Sequence, residues 1–352
     1  MKKYLKRVLA LAMAVVLVFS FTACSSGEKE DTSADTTADT SSAEKTDITI
    51  CLDWTPNTNH TGLFVALEKG YYDEAGLNVS IVQPTENSAT QACAAGQVQF
   101  AIDAQDTLAP AFTSDTPMEV TAVAALIQHN TSGIISLKGQ GMDRPSGLTG
   151  KTYLTWDSPT ELAMMENVVN GDGGDWSKVE KIPNTVTAEA QDVQQNPDHA
   201  IWVFYGWGAI NGQVNNIDTD FFFFKDINPV FDYYTPVIIG NNDFLESNPD
   251  AAVAFLAATE KGYKYAIDNP EDAAQILIDS DDTHSLVGSE ELVIESQKWL
   301  SQQYIADSPK WGYIEADRWD GFYNWLNEEG LVEKEIPDGT GYTNDFLFSD
   351  GE

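Results

Sequence analysis

Basic residues are scarce in this chain of 352: 19 Lys and Arg stand against 55 Asp and Glu, for a formal net charge of −36. That balance excludes nucleic acid as a partner, because gripping a phosphate backbone needs a basic surface. It also disfavours flat adhesion to anionic lipid headgroups. Cysteine is scarcer still, at 3 residues, and histidine numbers 4. None of these has zinc-ligand spacing. Cys51 in DITICLDW and Cys93 in SATQACAAG have apolar neighbours, so buried free thiols are expected rather than a disulfide or a metal site. The N-terminal apolar run LALAMAVVLVFSF falls short of the ~20 residues that a membrane-spanning helix needs.

What the N-terminus does contain is a basic stretch, MKKYLKR, then that apolar run, then TAC. This is the layout of a secretory leader. FTAC resembles a bacterial lipoprotein box, with Cys24 as the lipidated first residue; the alternative is an ordinary signal cut nearby. Residues 1–23 are therefore expected to be removed, and the protein to sit lipid-anchored on the extracytoplasmic face of the cell membrane. Residues 24–46 are almost wholly Ser, Thr, Ala and charged residues, which cannot bury apolar area and read as a tether.

Beyond the tether, 42% hydrophobic residues overall, with 9 Trp, 13 Tyr and 16 Phe, are ample for a core. Apolar strand-like runs (DITICL, NVSIVQP, VQFAIDA, EVTAVAALIQ, GIISLK) alternate with helix-like ones. A second series runs from GKTYLTW through PTELAMMENVV, AIWVFYGW and DFFFFKD to TPVIIGNNDFL, and from PDAAVAFLAATEK onward the chain reads as helical. Repeated strand–helix units imply an α/β fold with mainly parallel, doubly wound sheets. Two such series predict two lobes, residues 47–135 plus 236–352 and residues 136–235, with crossings near 134–138 and 233–239. Ligands of such sheets bind beyond the carboxyl ends of the strands.

At DWTPNTNHTGLFVALEKGYYDEAGLNV the chain resembles the thiamine-pyrimidine-type solute-binding proteins of ABC importers. Alkanesulfonate and riboflavin binders and the thiamine pyrimidine synthases are relatives of that family. The resemblance continues in AAGQVQFAIDAQD, LTWDSPTE, IWVFYGWGAI and YYTPVIIGNNDFLESNPD, and covers residues 47 to about 330. It implies a bilobal, Venus-flytrap fold of the type II periplasmic-binding-protein kind, delivering a ligand to a permease and its ATPase.

Several residues at strand ends are candidates to hold the ligand. Trp54 can offer its indole to a flat heteroaromatic ring, the alternative being a core or hinge tryptophan. Asn57 and Asn59 can supply amide donors and acceptors or shape the turn. His60 opens a helix and is either a polar contact or a structural cap. In the related synthases the histidine at this position gives atoms to the product, but those enzymes carry a cysteine-rich iron-binding segment, and NPVFDYYTPVIIG here has no cysteine. Asp103 and Gln105 end the strand in AIDAQD, where Asp103 can accept from a ligand amine or cap the next helix. In the second lobe Trp156, Ser158 and Thr160 precede a helix whose Glu161 favours its dipole. Tyr205 and Trp207 would form the opposing aromatic wall. Gly208 and Ala209 stand where the pyrimidine binders and synthases carry an acidic residue. Tyr234, at the return crossing, is placed to close over the ligand. FFFF at 221–224 reads as a buried strand, and His129, His199 and His284 as structural or exposed.

The expected function is capture of a small heteroaromatic solute, foremost a thiamine pyrimidine precursor, by a monomer that uses no cofactor or metal and catalyses no reaction. Riboflavin would need a wider cleft. An alkanesulfonate ranks last, because none of these candidate ligand residues is Lys or Arg. A synthase-like enzyme and a purely adhesive lipoprotein are the competing classes.

Overall fold

The computed structural model describes residues 45–84 and 88–347. The leader, Cys24 and nearly all of the tether lie outside the described residues. Among the described residues ten strands form two sheets: β1 (Thr46–Cys51), β2 (Leu77–Val82), β3 (Phe100–Asp103), β4 (Val120–Ala125), β5 (Ser132–Leu137), β6 (Thr152–Thr155), β7 (Glu180–Pro183), β8 (His199–Phe204), β9 (Thr219–Phe223) and β10 (Val237–Asn241). The first sheet has the order β2-β1-β3-β10-β4 and the second β7-β6-β8-β5-β9. The polar β7, closed by Pro183, was not foreseen from its sequence. As an edge strand it needs neither two apolar faces nor every ladder donor.

Each sheet is parallel except for one strand. β10 runs antiparallel to both β3 and β4, and β5 antiparallel to both β8 and β9. These are the strands on which the chain arrives from the other sheet. A chain leaving at the carboxyl end of one strand enters the next sheet from that same side, so it must run back. Accordingly Val237 at the start of β10 pairs with Asp103 at the end of β3, and Ser132 at the start of β5 pairs with Phe204 at the end of β8. The carboxyl-end rims of both sheets therefore flank the same two crossings. The molecule is a bilobal α/β fold.

The chain changes sheets between Ala125 and Ser132 and again between Phe223 and Val237. The first crossing comes earlier than the expected 134–138, because GIISLK is itself a strand of the second sheet. The polar run Gln128–Thr131 makes the passage instead. Asn130 ties the two crossings: its backbone N–H donates to Asp232, 2.9 Å away, and its side-chain amide to the Phe231 carbonyl, also 2.9 Å.

The helical tail packs on the first sheet. Two of its helices, Pro249–Asp268 and Pro270–Asp279, start at prolines whose fixed φ and missing N–H suit the first helical turn. The helix Thr61–Glu68 lies so close to the first of them that a Cβ on Gly262 would sit 2.0 Å from the Gly62 carbonyl oxygen. Of the predicted FFFF strand, residues 221–223 lie in the outer strand β9, where Phe222 is buried and Phe221 and Phe223 half-buried, while the enclosed Phe224 opens the following helix. Cys51 and Cys93 are free and buried, as expected. No described helix is long and apolar enough to cross a membrane.

Candidate functional site

Large aromatic side chains are exposed at strand ends in both sheets. Trp54, three residues past β1, is 70% exposed; Trp156, directly after β6, is 53% exposed; Phe204, which ends β8, is 40% exposed. Burying such surface is the ordinary gain of folding, so its exposure at the carboxyl-end rims of both sheets makes these strand ends the candidate site.

The turn carrying Trp54 is held by its neighbours. Asn57 accepts the Asn59 N–H at 2.9 Å and donates to the Thr55 carbonyl at 3.0 Å, capping the short helical turn Thr58–His60. His60 is wholly buried. Its Nδ1 accepts the Asn57 N–H at 3.3 Å, which leaves the proton on Nε2, and Nε2 donates to Asp53 Oδ1 at 2.7 Å. Both ring nitrogens are thus used within the turn, and His60 takes the structural role. The tail grips the same turn: the Tyr263 hydroxyl donates to the Asn59 carbonyl and that of Tyr304 to the Thr58 carbonyl, both at 2.6 Å. The half-buried Asn59 amide has no partner among the described residues.

Asp53 was missed in the sequence, although it lies next to Trp54 and seven residues before a histidine. It is near enough to act on Asp103. Burial pushes the Asp103 carboxyl above its ordinary range, and the Asp53 charge adds to this. Hydrogen bonds from Thr107, Thr90 and the Ala104 N–H oppose the rise. At the next turn burial, with the Asp103 charge behind it, pushes Asp106 up to about 6.

On the second rim Glu161 does far more than favour a dipole. Its buried carboxylate accepts from the Tyr153 hydroxyl at 2.6 Å, the Thr155 hydroxyl at 3.1 Å, the Trp156 N–H at 3.1 Å and the Ser158 N–H at 3.2 Å. The loop it knots holds Asp157 at φ 62, in the left-handed region, and delivers Trp156, exposed Ser158 and half-buried Thr160 to the start of the helix Pro159–Gly171. Trp156 leans on Trp202, with ring centroids 6.1 Å apart.

Four of the expected residues lie elsewhere. Gln105 and Tyr234 are each 0% exposed. Gln105 exchanges bonds with the Tyr234 backbone and donates to the Trp319 carbonyl, while the Tyr234 hydroxyl accepts the Glu315 N–H. They lock a crossing to the tail helix Ala316–Glu328 and have no surface to offer a ligand. Tyr205 packs against Phe221 and Phe223 of β9 and against Trp299 of the tail, with centroids 4.8 Å apart in the last pair. Trp207 packs into the apolar cluster of the first sheet. The aromatic wall expected there is instead a contact between lobes, and exposed Phe204 stands on the rim.

The acidic groups Asp53, Asp103, Asp157 and Glu161 are brought to these strand ends, while Lys225, just past β9, lies over the Phe223 ring. Arg318, packed over the Tyr234 ring at the crossings, donates to the Gln128 carbonyl and pairs with Asp232 and Glu315. His129 and His199 bond to aspartates, and His284 adopts a left-handed turn at φ 57.

The formylaminopyrimidine-binding protein of Halalkalibacterium halodurans is 28% identical over 295 residues, 82% of this chain and 87% of that protein. A 4-amino-5-hydroxymethyl-2-methylpyrimidine phosphate synthase of Saccharomyces cerevisiae is 24% identical, over 66% of this chain and 70% of its own. Among solved structures, the periplasmic aliphatic sulphonate binding protein of Escherichia coli superposes with a TM-score of 0.65 at 11% identity, covering 87% of this chain and 94% of that one. That likeness establishes the periplasmic-binding-protein fold. The family described as NMT1/THI5 like matches residues 57–273, which run from the cap of the first rim's turn through the whole second sheet and into the tail. Spanning more than half of the sequence, that match shows that the chain belongs to the NMT1/THI5-like family.

Proposed function

We propose that this protein is the extracytoplasmic receptor of an ABC importer and captures an aminopyrimidine of the thiamine-precursor class between its two rims. The observation that carries this is the pair of exposed indoles, Trp54 on one sheet and Trp156 on the other, with the carboxylates of Asp53, Asp103, Asp157 and Glu161 at the same strand ends. A flat ring can stack on either indole, and its amino groups can donate to Asp103 or Asp53. Asn59, Ser158 and Thr160 supply the remaining polar contacts, and Phe204 completes the apolar surface. Supporting it, the similar protein of Halalkalibacterium halodurans is named for binding a formylaminopyrimidine. Lipid attachment at Cys24, action as a monomer and delivery to a permease and its ATPase belong to the same proposal.

An enzymatic reading draws support from the relatives named as synthases. Here His60 would have to leave both Asp53 and Asn57 to reach a substrate. Receptor function remains the better account.

Calorimetry with formylaminopyrimidine, 4-amino-5-hydroxymethyl-2-methylpyrimidine, riboflavin and an alkanesulfonate tests the ligand class. Tight binding of a pyrimidine alone is expected. Binding of riboflavin or of the sulfonate alone would replace the cargo, and release of chemically altered pyrimidine would replace the receptor with an enzyme.

A further inference from the structure

One tail helix, Glu290–Leu300, touches the turns behind both rims. Toward the first sheet, Ser296 Oγ lies 2.7 Å from Thr58 Oγ1, in the turn that follows Trp54. Toward the second, the Trp299 indole stacks obliquely on Tyr205, 4.8 Å between centroids, in the turn that follows Phe204. Gly206 makes this approach possible: a Cβ there would meet Trp299 Cε3 and Cζ3 at 3.2 Å. Ser296 and Trp299 are three apart and so neighbours along one helix face. The spacing of the two rims is thereby referred to a single turn of helix.

We propose that Trp299 is a positioning residue for ligand capture, a clasp that holds the second rim against the helix already bonded to the first. It touches no ligand. It acts by favouring the arrangement in which Trp54 and Trp156 face one solute, and affinity follows the population of that arrangement. The proposal rests on the receptor reading above for its effect on affinity, while the clasp itself is measurable without ligand.

The test uses the full chain and its Trp299→Ala, Trp299→Phe, Tyr205→Ala and Tyr205→Ala/Trp299→Ala variants. An aromatic pair contributes up to ~1.5 kcal/mol beyond its buried area, so Trp299→Ala should weaken formylaminopyrimidine binding by about tenfold. Trp299→Phe should recover most of the loss, and the double variant should be no worse than either single one, as for two halves of one contact. Without ligand, hydrogen exchange should quicken in Trp299→Ala at both turns, Thr58–His60 and Tyr205–Ala209. Exchange that quickens only at Tyr205–Ala209 would reduce Trp299 to local packing and overturn the clasp, as would unchanged affinity with native folding. If the unaltered protein binds neither pyrimidine named above, the pyrimidine reading fails, and the exchange measurement alone decides the clasp.

Discussion

His60 serves Asp53: its Nε2 proton is committed to that carboxylate at 2.7 Å, and its Nδ1 to the backbone of the turn. Removing the ring should therefore act on stability before it acts on binding. His60→Ala leaves a buried gap and an unpaired Asn57 N–H, and should cost about 2–3 kcal/mol in denaturant unfolding. A double-mutant cycle with Asp53→Ala should give a coupling of about 1 kcal/mol or more. Native stability in His60→Ala with affinity lost would instead make His60 a ligand contact.

Trp54 and Trp156 should behave in the opposite way. Being exposed, each can become alanine with about 0.5 kcal/mol or less of stability change. Each should lose about tenfold in pyrimidine affinity, the scale of one lost aromatic contact. Full affinity in both variants would remove the stacking platforms.

Glu161→Gln keeps the size of the side chain but turns an amide toward N–H groups that a carboxylate accepted. A loss of about 2 kcal/mol is expected in thermal or urea unfolding. Ligand affinity should fall as well, because Trp156 and Ser158 take their positions from that carboxylate.

His129 lies between two carboxylates, with Nδ1 2.6 Å from Asp232 and Nε2 2.8 Å from Asp307. A neutral imidazole has one N–H, so this geometry requires the protonated ring. The bond to Asp232 holds its pKa above the ordinary value against burial and Arg318, and the bond to His129 holds the Asp307 carboxyl below its own. The raised imidazole stabilises the fold below its unfolded pKa and stops doing so as pH rises through the folded one. The advantage of the native protein over His129→Gln, about 1 kcal/mol after screening, should thus be full at and below the ordinary imidazole pKa and fade as pH rises through the raised one. A pH-independent difference would refute the pairing.

Asp106, raised to about 6 by burial, carries the same sign. Its contribution is fully present below the ordinary carboxylate pKa and lost as pH climbs through about 6. Asp106→Asn cannot ionise, so it should gain on the native protein in melting temperature as pH rises from about 4 to about 6. A constant gap over that range would place the charge elsewhere.

Much of the fold was legible because apolar runs such as VTAVAA and VIIGN read as buried strands, and because the chain from PDAAVAFLAATEK onward shows helical spacing. The rims were legible too, since Trp54 and Trp156 directly follow such runs. Gln105 and Tyr234 were misjudged because polar groups at strand ends look available. Their enclosure depends on Trp319 and Glu315, far along the chain. Glu161 and Asp53 were undervalued for a related reason: their bonds run to backbone groups, which no residue type announces. Nor does local sequence reveal that His129 meets Asp232 and Asp307, more than 100 residues away.

The strand that completes the first sheet has a consequence for the order of assembly. β10 lies between β3 and β4, so those two share no ladder until residues 237–241 have been made. All five strands of the second sheet, by contrast, come from the unbroken stretch 132–223. On a ribosome the second lobe has its whole sheet in hand while the first still waits with a gap between two apolar strands. The lobe that starts first in the sequence is therefore bound to finish last.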